Sequence, residues 1–154
     1  MNEQMVGTLV QATQEVFETM VFKSVALQTP IYGEGLRPRS NVVALVGFAG
    51  EISGLVAFYS TLEAANEIAG SMLGVASSDV DGDMPDAIGE VSNMIAGAFR
   101  SRLAEEGMQC AISVPTVTTG SNFYTRCISQ VQRVLCPFTM DAHEIFVELI
   151  VTKQ

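Results

Sequence analysis

The first apolar positions of the chain, Met5, Leu9, Ala12, Val16 and Met20, recur at steps of three and four residues, which predicts a helix over 3–23. The pattern then breaks. Residues 24–40 carry Pro30, Gly33, Gly35, Pro38 and the pair Arg37/Arg39, and read as irregular, with an edge strand within 25–31. Two apolar runs, 41–48 and 52–59, flank Ala49-Gly50-Glu51 in the manner of a tight hairpin. Ser60 or Thr61 suits the cap of a helix over 62–73. An acidic loop, 74–84, leads into a longer helix, 85–106, with Asp83 as its cap, Pro85 in its first turn and Gly107 as its stop. Three strands remain, over 109–117, 130–140 and 143–152. A Thr/Gly/Ser/Asn connection separates the first two, and Asp141-Ala142 turns between the last two.

Helices and antiparallel strands therefore come in blocks, which indicates one two-layer α+β domain over 1–154, an antiparallel sheet packed against long helices. A weak internal repeat is visible. Val16 and Met20 align with Val91 and Ile95, which sets Glu15 and Glu18 against Glu90 and Asn93, and each helix is followed by a strand pair. On sequence alone a chance match and a duplication are equally open.

Composition narrows the function. At 154 residues, 48% hydrophobic and 16% charged, the chain is long and apolar enough to bury a core and is not disordered. Its net charge of −9 repels phosphate backbones and anionic lipids, so neither nucleic acid nor a membrane surface is expected as partner. No apolar run is long enough for a bilayer span, the N-terminus has no basic signal-peptide region, and a cytoplasmic location is expected. Cys110, Cys127 and Cys136 are an odd number without CxxC spacing and read as buried reduced thiols. His143 has no catalytic constellation around it, and the eight methionines suit a core or a dimer surface.

The chemistry concentrates on the helix over 85–106. At about 100° per residue, Ile88, Val91, Ile95, Ala98, Phe99 and Arg102 share one broad stripe, with Leu103 at its margin and the Arg102 stem laid along the core. Asp86, Glu90, Asn93 and Gly97 cluster opposite. A solvated face accounts for an ordinary Glu and Asn. Two features weigh against it here: Asn is a poor mid-helix residue, and Gly97 costs about 1 kcal/mol against Ala in a helix interior. Gly97 fits either a partner's backbone coming close or close packing within the protein.

Asp86-x3-Glu90-x2-Asn93, followed by Pro115, resembles the signature of the CheC/CheX/FliY phosphatases of bacterial chemotaxis. The stretches Ile112 to Val117, Val46 to Gly50 and Ala12 to Met20, together with Ser53-Gly54, Ala64/Ala65 and Gly120, are similar to its CheX branch. There are departures. The Asn93-to-Pro115 gap is a residue shorter than the family pattern, and Ala98-Phe99-Arg100 stands where relatives are often more polar. CheC-like members carry two active helices; the first helix here has Glu15 and Glu18 but no Asn, so no activity is carried to it. The resemblance implies a CheC-like fold, one site per chain and a homodimer. It also implies an enzyme that hydrolyses the aspartyl phosphate of a CheY-like response-regulator receiver, with no cofactor of its own and with Mg²⁺ held by the receiver. Asn93 would then orient the attacking water and Glu90 would accept the receiver's Lys, not serve as a general base. Asp86 would either help dock the partner or only complement the helix N-terminus, and Gly97 would face the partner.

Two rivals stand beside this reading. Asp79, Asp81, Asp83 and Glu90 have the first, third, fifth and twelfth spacing of a calcium loop, although Met84 takes the place of its glycine and Pro85 follows. A non-enzymatic receiver-binding or flagellar-switch-type module is the other, and an intact Glu90/Asn93 pair is what such a scaffold does not need.

Overall fold

The three- and four-residue apolar spacing of the N-terminal segment forms α1 (Glu3–Val16), which buries Met5, Leu9, Ala12 and Val16. It then opens into a π-helical turn, Phe17–Val21, closed by Phe22 in the left-handed region at φ 62°. The wider turn rotates the apolar face, so Val21 is buried where Met20 was expected, and Met20 is exposed. The computed structural model describes residues 3–34, 38–123, 126 and 130–152, leaving aside the side chain of residue 122; Arg37 and Cys127 fall outside the described residues.

The expected edge strand is two short pieces, β1 (Ala26–Leu27) and β2 (Ile31–Tyr32), and the hairpin is β3 (Ser40–Gly50) with β4 (Gly54–Ser60). Thr61, not Ser60, caps α2 (Leu62–Leu73), its hydroxyl accepting from the Ala64 N–H at 3.1 Å. α3 (Met84–Glu105) follows. Asp83 occupies the cap position, but its own backbone is helical (φ −87°, ψ −3°) and its carboxylate makes no capping bond, so it contributes charge and not a hydrogen bond. Gly107, at φ 85°, ends the helix as expected: its N–H reaches Ala104 O and that of Met108 reaches Leu103 O.

One expected strand divides. Pro115 interrupts 109–117 into β5 (Cys110–Ile112) and β6 (Thr116–Phe123), and β6 runs into what read as a connection. The cause is tertiary: the β-branched run Thr116-Val-Thr-Thr119 finds a free edge on β3, with Thr116 opposite Leu45 and Thr119 opposite Val42. β7 (Val131–Met140) and β8 (His143–Thr152) complete the chain, joined at Asp141, φ 53°.

All pairings are antiparallel, in the order β1-β7-β8-β4-β3-β5, with β2 on β7 and β6 on β3. That order is a palindrome. A helix, two flanking strands and a hairpin occur twice, and each unit's flanking strands border the other unit's hairpin. The Gln28 N–H donates to Pro137 O and the Ser113 N–H to Gly47 O, both at 2.8 Å, in matching places. Buried Leu9, Ala12, Thr13, Val16 and Phe17 of the first unit likewise correspond to buried Met84, Ala87, Ile88, Val91 and Ser92. The weak repeat of the sequence is thus a structural repeat, and the structure is the two-layer CheC-like α+β arrangement expected.

The main core lies between the sheet and the three helices. The other sheet face carries a smaller cluster around Val43, Ala57, Tyr59 and Leu135. Beside it the Arg133 guanidinium donates twice to buried Glu148, at 2.8 and 2.9 Å, and the Tyr59 hydroxyl donates to the same carboxylate at 2.6 Å. Among the described residues, no helix is long and apolar enough to cross a membrane.

Candidate functional site

α3 is held on several sides, and this decides what it can present. Its buried face is broader than one stripe. Ile88, Val91, Ile95 and Phe99 are buried as expected; Ala87, Gly89, Ser92 and Ala96 are buried too, and Leu103 is fully inside instead of marginal. Arg102 is half-buried and keeps its head group outside the core. It reaches α1, donating to Gln11 Oε1 at 3.2 Å and to Glu15 Oε2 at 2.6 Å. A guanidinium beside a carboxylate on a neighbouring helix gains a charge-assisted bond that burial along the core does not offer.

What remains outside is a narrow ridge. Asp86 and Glu90 are exposed, and Asn93 and Gly97 are half-buried, so the four predicted residues share one face. Glu90 and Asn93 are three apart, with Cβ atoms about 5–6 Å from each other on a helix. Among the described residues, no hydrogen bond or ion pair engages the side chain of Asp86, Glu90 or Asn93. A carboxylate and a carboxamide set side by side on a rigid helix, with their hydrogen-bonding capacity unused, are preorganised for an external ligand. Asp86 lies in the first turn, where a negative charge complements the helix dipole.

The two glycines of the ridge differ. A Cβ on Gly97 would meet nothing closer than Ile112 Cδ1 at 4.0 Å, so close packing within the protein does not account for it. A Cβ on Gly89 would stand 3.3 Å from Val117 Cγ2 and 3.8 Å from Pro115 Cγ. Gly89, overlooked in the sequence reading, is therefore where β6 closes on α3. Its signal was present: a second mid-helix glycine, next to Glu90. The contact also brings Pro115 to the working helix despite the short Asn-to-Pro gap.

Other sequence candidates lie elsewhere. His143 Nε2 pairs with Glu67 Oε1 of α2 at 3.2 Å. Asp79 belongs to a 3₁₀ turn, Ser77–Asp79, and among the described residues no three His, Cys, Asp or Glu side chains gather as a metal-ligand set. Cys136 is buried, and loss of solvation with the nearby Glu148 charge pushes its thiol up to about 12; Cys110 is half-exposed and raised by burial, with Arg100 opposing.

A palindromic antiparallel sheet under three helices is the CheC-like fold, the class to which the solved neighbours of this chain belong. Within that class the model of chemotaxis phosphatase CheX matches residues 42–139, and the chain belongs to the CheX family. The CheY-P phosphatase CheX of Thermotoga maritima is 26% identical over 107 residues, covering 69% of this chain and 68% of that protein. The crystal structure of a chemotaxis protein CheX from Desulfovibrio desulfuricans has a TM-score of 0.88 at 28% identity, covering 96% of this chain and 99% of that one. A CheX-CheY-BeF3-Mg²⁺ complex from Borrelia burgdorferi shares the fold, with a TM-score of 0.82 at 22% identity over 96% of this chain and 97% of that chain.

Proposed function

We propose that this chain accelerates hydrolysis of the aspartyl phosphate on a CheY-like receiver domain, with Glu90 and Asn93 as the working pair. The observation that carries the reading is the pair itself: an exposed Glu90 beside a half-buried Asn93, without internal partners among the described residues, on a helix packed by α1 and β6. Water attacks phosphorus, the bond from phosphorus to the aspartyl oxygen breaks, and inorganic phosphate and the free carboxylate leave. In such phosphoryl transfers charge spreads over the phosphoryl oxygens, and catalysis is mostly positioning and electrostatics. The receiver supplies Mg²⁺ and a Lys for that charge. The Asn93 carboxamide both donates and accepts, which suits it to hold one water in line with the phosphorus. Glu90 takes the receiver's Lys and orients α3 over the phosphate; a free carboxylate acting as base beside phosphoryl oxygens would be repelled by them. Gly97 leaves room for the receiver's backbone, and Asp86 acts through the helix N-terminus. A homodimer with one such ridge per chain fits the family.

The test is phosphate release from a CheY-type receiver phosphorylated with acetyl phosphate and Mg²⁺. Wild type is expected to accelerate decay, Asn93→Ala to bind the phosphorylated receiver without accelerating it, and Glu90→Ala to lose both binding and turnover. Binding by wild type with no acceleration would establish the non-enzymatic receiver-binding or flagellar-switch-type alternative in its place.

A further inference from the structure

The chain between β5 and β6 runs beside the working helix, and its position can be fixed against α3 by two contacts. Pro115 lies against Gly89, and Ile112 Cδ1 is the atom nearest the Cβ position of Gly97. Those glycines are eight residues apart, about 12 Å along the helix. Ser113 and Val114 therefore pass midway between them, level with Asn93. On the helix circumference Asn93 falls about 40° from Gly89 and about 60° from Glu90. Around the helix the order is Glu90, Asn93, Gly89, and the chain packed on Gly89 leads back through Pro115 to Val114.

The tip is rigidly held. The Ser113 N–H donates to Gly47 O at 2.8 Å, the Gly47 N–H donates to Ser113 Oγ at 2.8 Å, and Ser113 Oγ donates to Val114 O at 3.3 Å. Pro115 fixes the next φ. Yet Val114 is 84% exposed, more than any other large hydrophobic residue among those described. A single exposed apolar side chain is ordinary on a protein surface. This one stands between Ser113, tied twice to Gly47 and once to the Val114 carbonyl, and Pro115, which packs on Gly89.

Resting on the proposed function, we infer that Val114 is the apolar docking residue for the phosphorylated receiver and sets affinity for it. The chemistry favours an apolar contact. The chain carries −9 and its ridge is acidic, so long-range electrostatics oppose a phosphorylated, carboxylate-rich surface, and Glu90 attracts only through one Lys. Burying a valine adds affinity that charge repulsion and salt do not diminish. Val114 touches neither the water nor the phosphoryl group; it is a specificity residue beside the pair.

The experiment uses full-length wild type, Val114→Ala and Val114→Asp with the acetyl-phosphate-charged receiver, reading KM and kcat at low and high salt. KM should rise about threefold for the alanine and about tenfold or more for the aspartate, from the apolar area lost. kcat should stay within about twofold, because the transition-state contacts are unchanged. Melting temperatures should match wild type, and the alanine penalty should persist at high salt. Unchanged KM in both variants overturns the inference while the assigned activity stands. So does a fall in kcat at constant KM, or a wild-type oligomer that Val114→Asp dissociates in sedimentation, which would assign the residue to a second copy of the chain. A wild type with no acceleration overturns the activity and the inference together.

Discussion

Asn93→Ala should raise stability and abolish catalysis, and the opposite signs are the informative part. Asn93 is half-buried on α3, and among the described residues its carboxamide has no partner, so its removal orphans nothing. Ala is better than Asn in a helix interior by about 0.6 kcal/mol. Allowing for a little lost contact, the variant should gain about 0.5 kcal/mol, or ~1–2 °C in a domain of this size. The catalytic loss should be about 10²–10³-fold, or ~3–4 kcal/mol of transition-state stabilisation, because an unpositioned water must find the in-line geometry itself. Asn93→Gln keeps the chemistry but moves the amide out by one methylene, and should lose about as much rate, since a displacement near 1 Å can cost ~10²-fold. The assays are urea denaturation for stability and phosphate release from the charged receiver for rate. A destabilised Asn93→Ala would show that Asn93 is held by the fold and not offered to a ligand. An accelerating one would remove it from the reaction.

Glu148→Ala should cost about 3–5 kcal/mol in urea denaturation, since Arg133 loses the buried carboxylate that takes two of its hydrogen bonds. Gly97→Ala should stabilise α3 by up to about 1 kcal/mol, the nearest atom to the new Cβ being 4.0 Å away, while raising KM for the receiver; an unchanged KM would show that no partner backbone comes close there. Gly89→Val should destabilise the protein and weaken binding, because even a Cβ at 89 stands 3.3 Å from Val117. Cys136 gives a pH signature. Its folded thiol titrates near 12, above the unfolded value of about 8.5, so the stability from burying it neutral is complete below the unfolded value and is lost as pH rises toward 12. The unfolding free energy between those values should fall more steeply with pH for wild type than for Cys136→Ala, by up to about 1.4 kcal/mol per pH unit; parallel curves would refute the buried thiol.

How much was legible in the sequence varies by element. The span of α2 was readable, with only Ser60 and Thr61 left open as its cap, because capping residues act within one turn of the chain they terminate. The hairpins 40–60 and 131–152 were readable because alternation and turn residues are local. β6 was not. A Thr/Gly/Ser/Asn stretch has no local reason to be a strand until β3, some seventy positions earlier, offers a free edge. The partners of the Arg102 head group were not legible for a related reason: Gln11 and Glu15 come from the other end of the chain.

The working face divides the same way. Helical periodicity alone put Asp86, Glu90, Asn93 and Gly97 together, because a residue's angular position on a helix depends on nothing outside the helix. Which of that helix's other sides were free could not be read there. Burial is a property of neighbours, and those of α3 include α1, α2, β3 and the β5–β6 segment. Only their arrival closed the flank at Gly89, left Gly97 open, carried Pro115 to the ridge and held Val114 level with Asn93. The sequence by itself determined the pair and its spacing. The tertiary structure decided that, among the described residues, the pair stands unpartnered on a narrow ridge with one apolar side chain nearby.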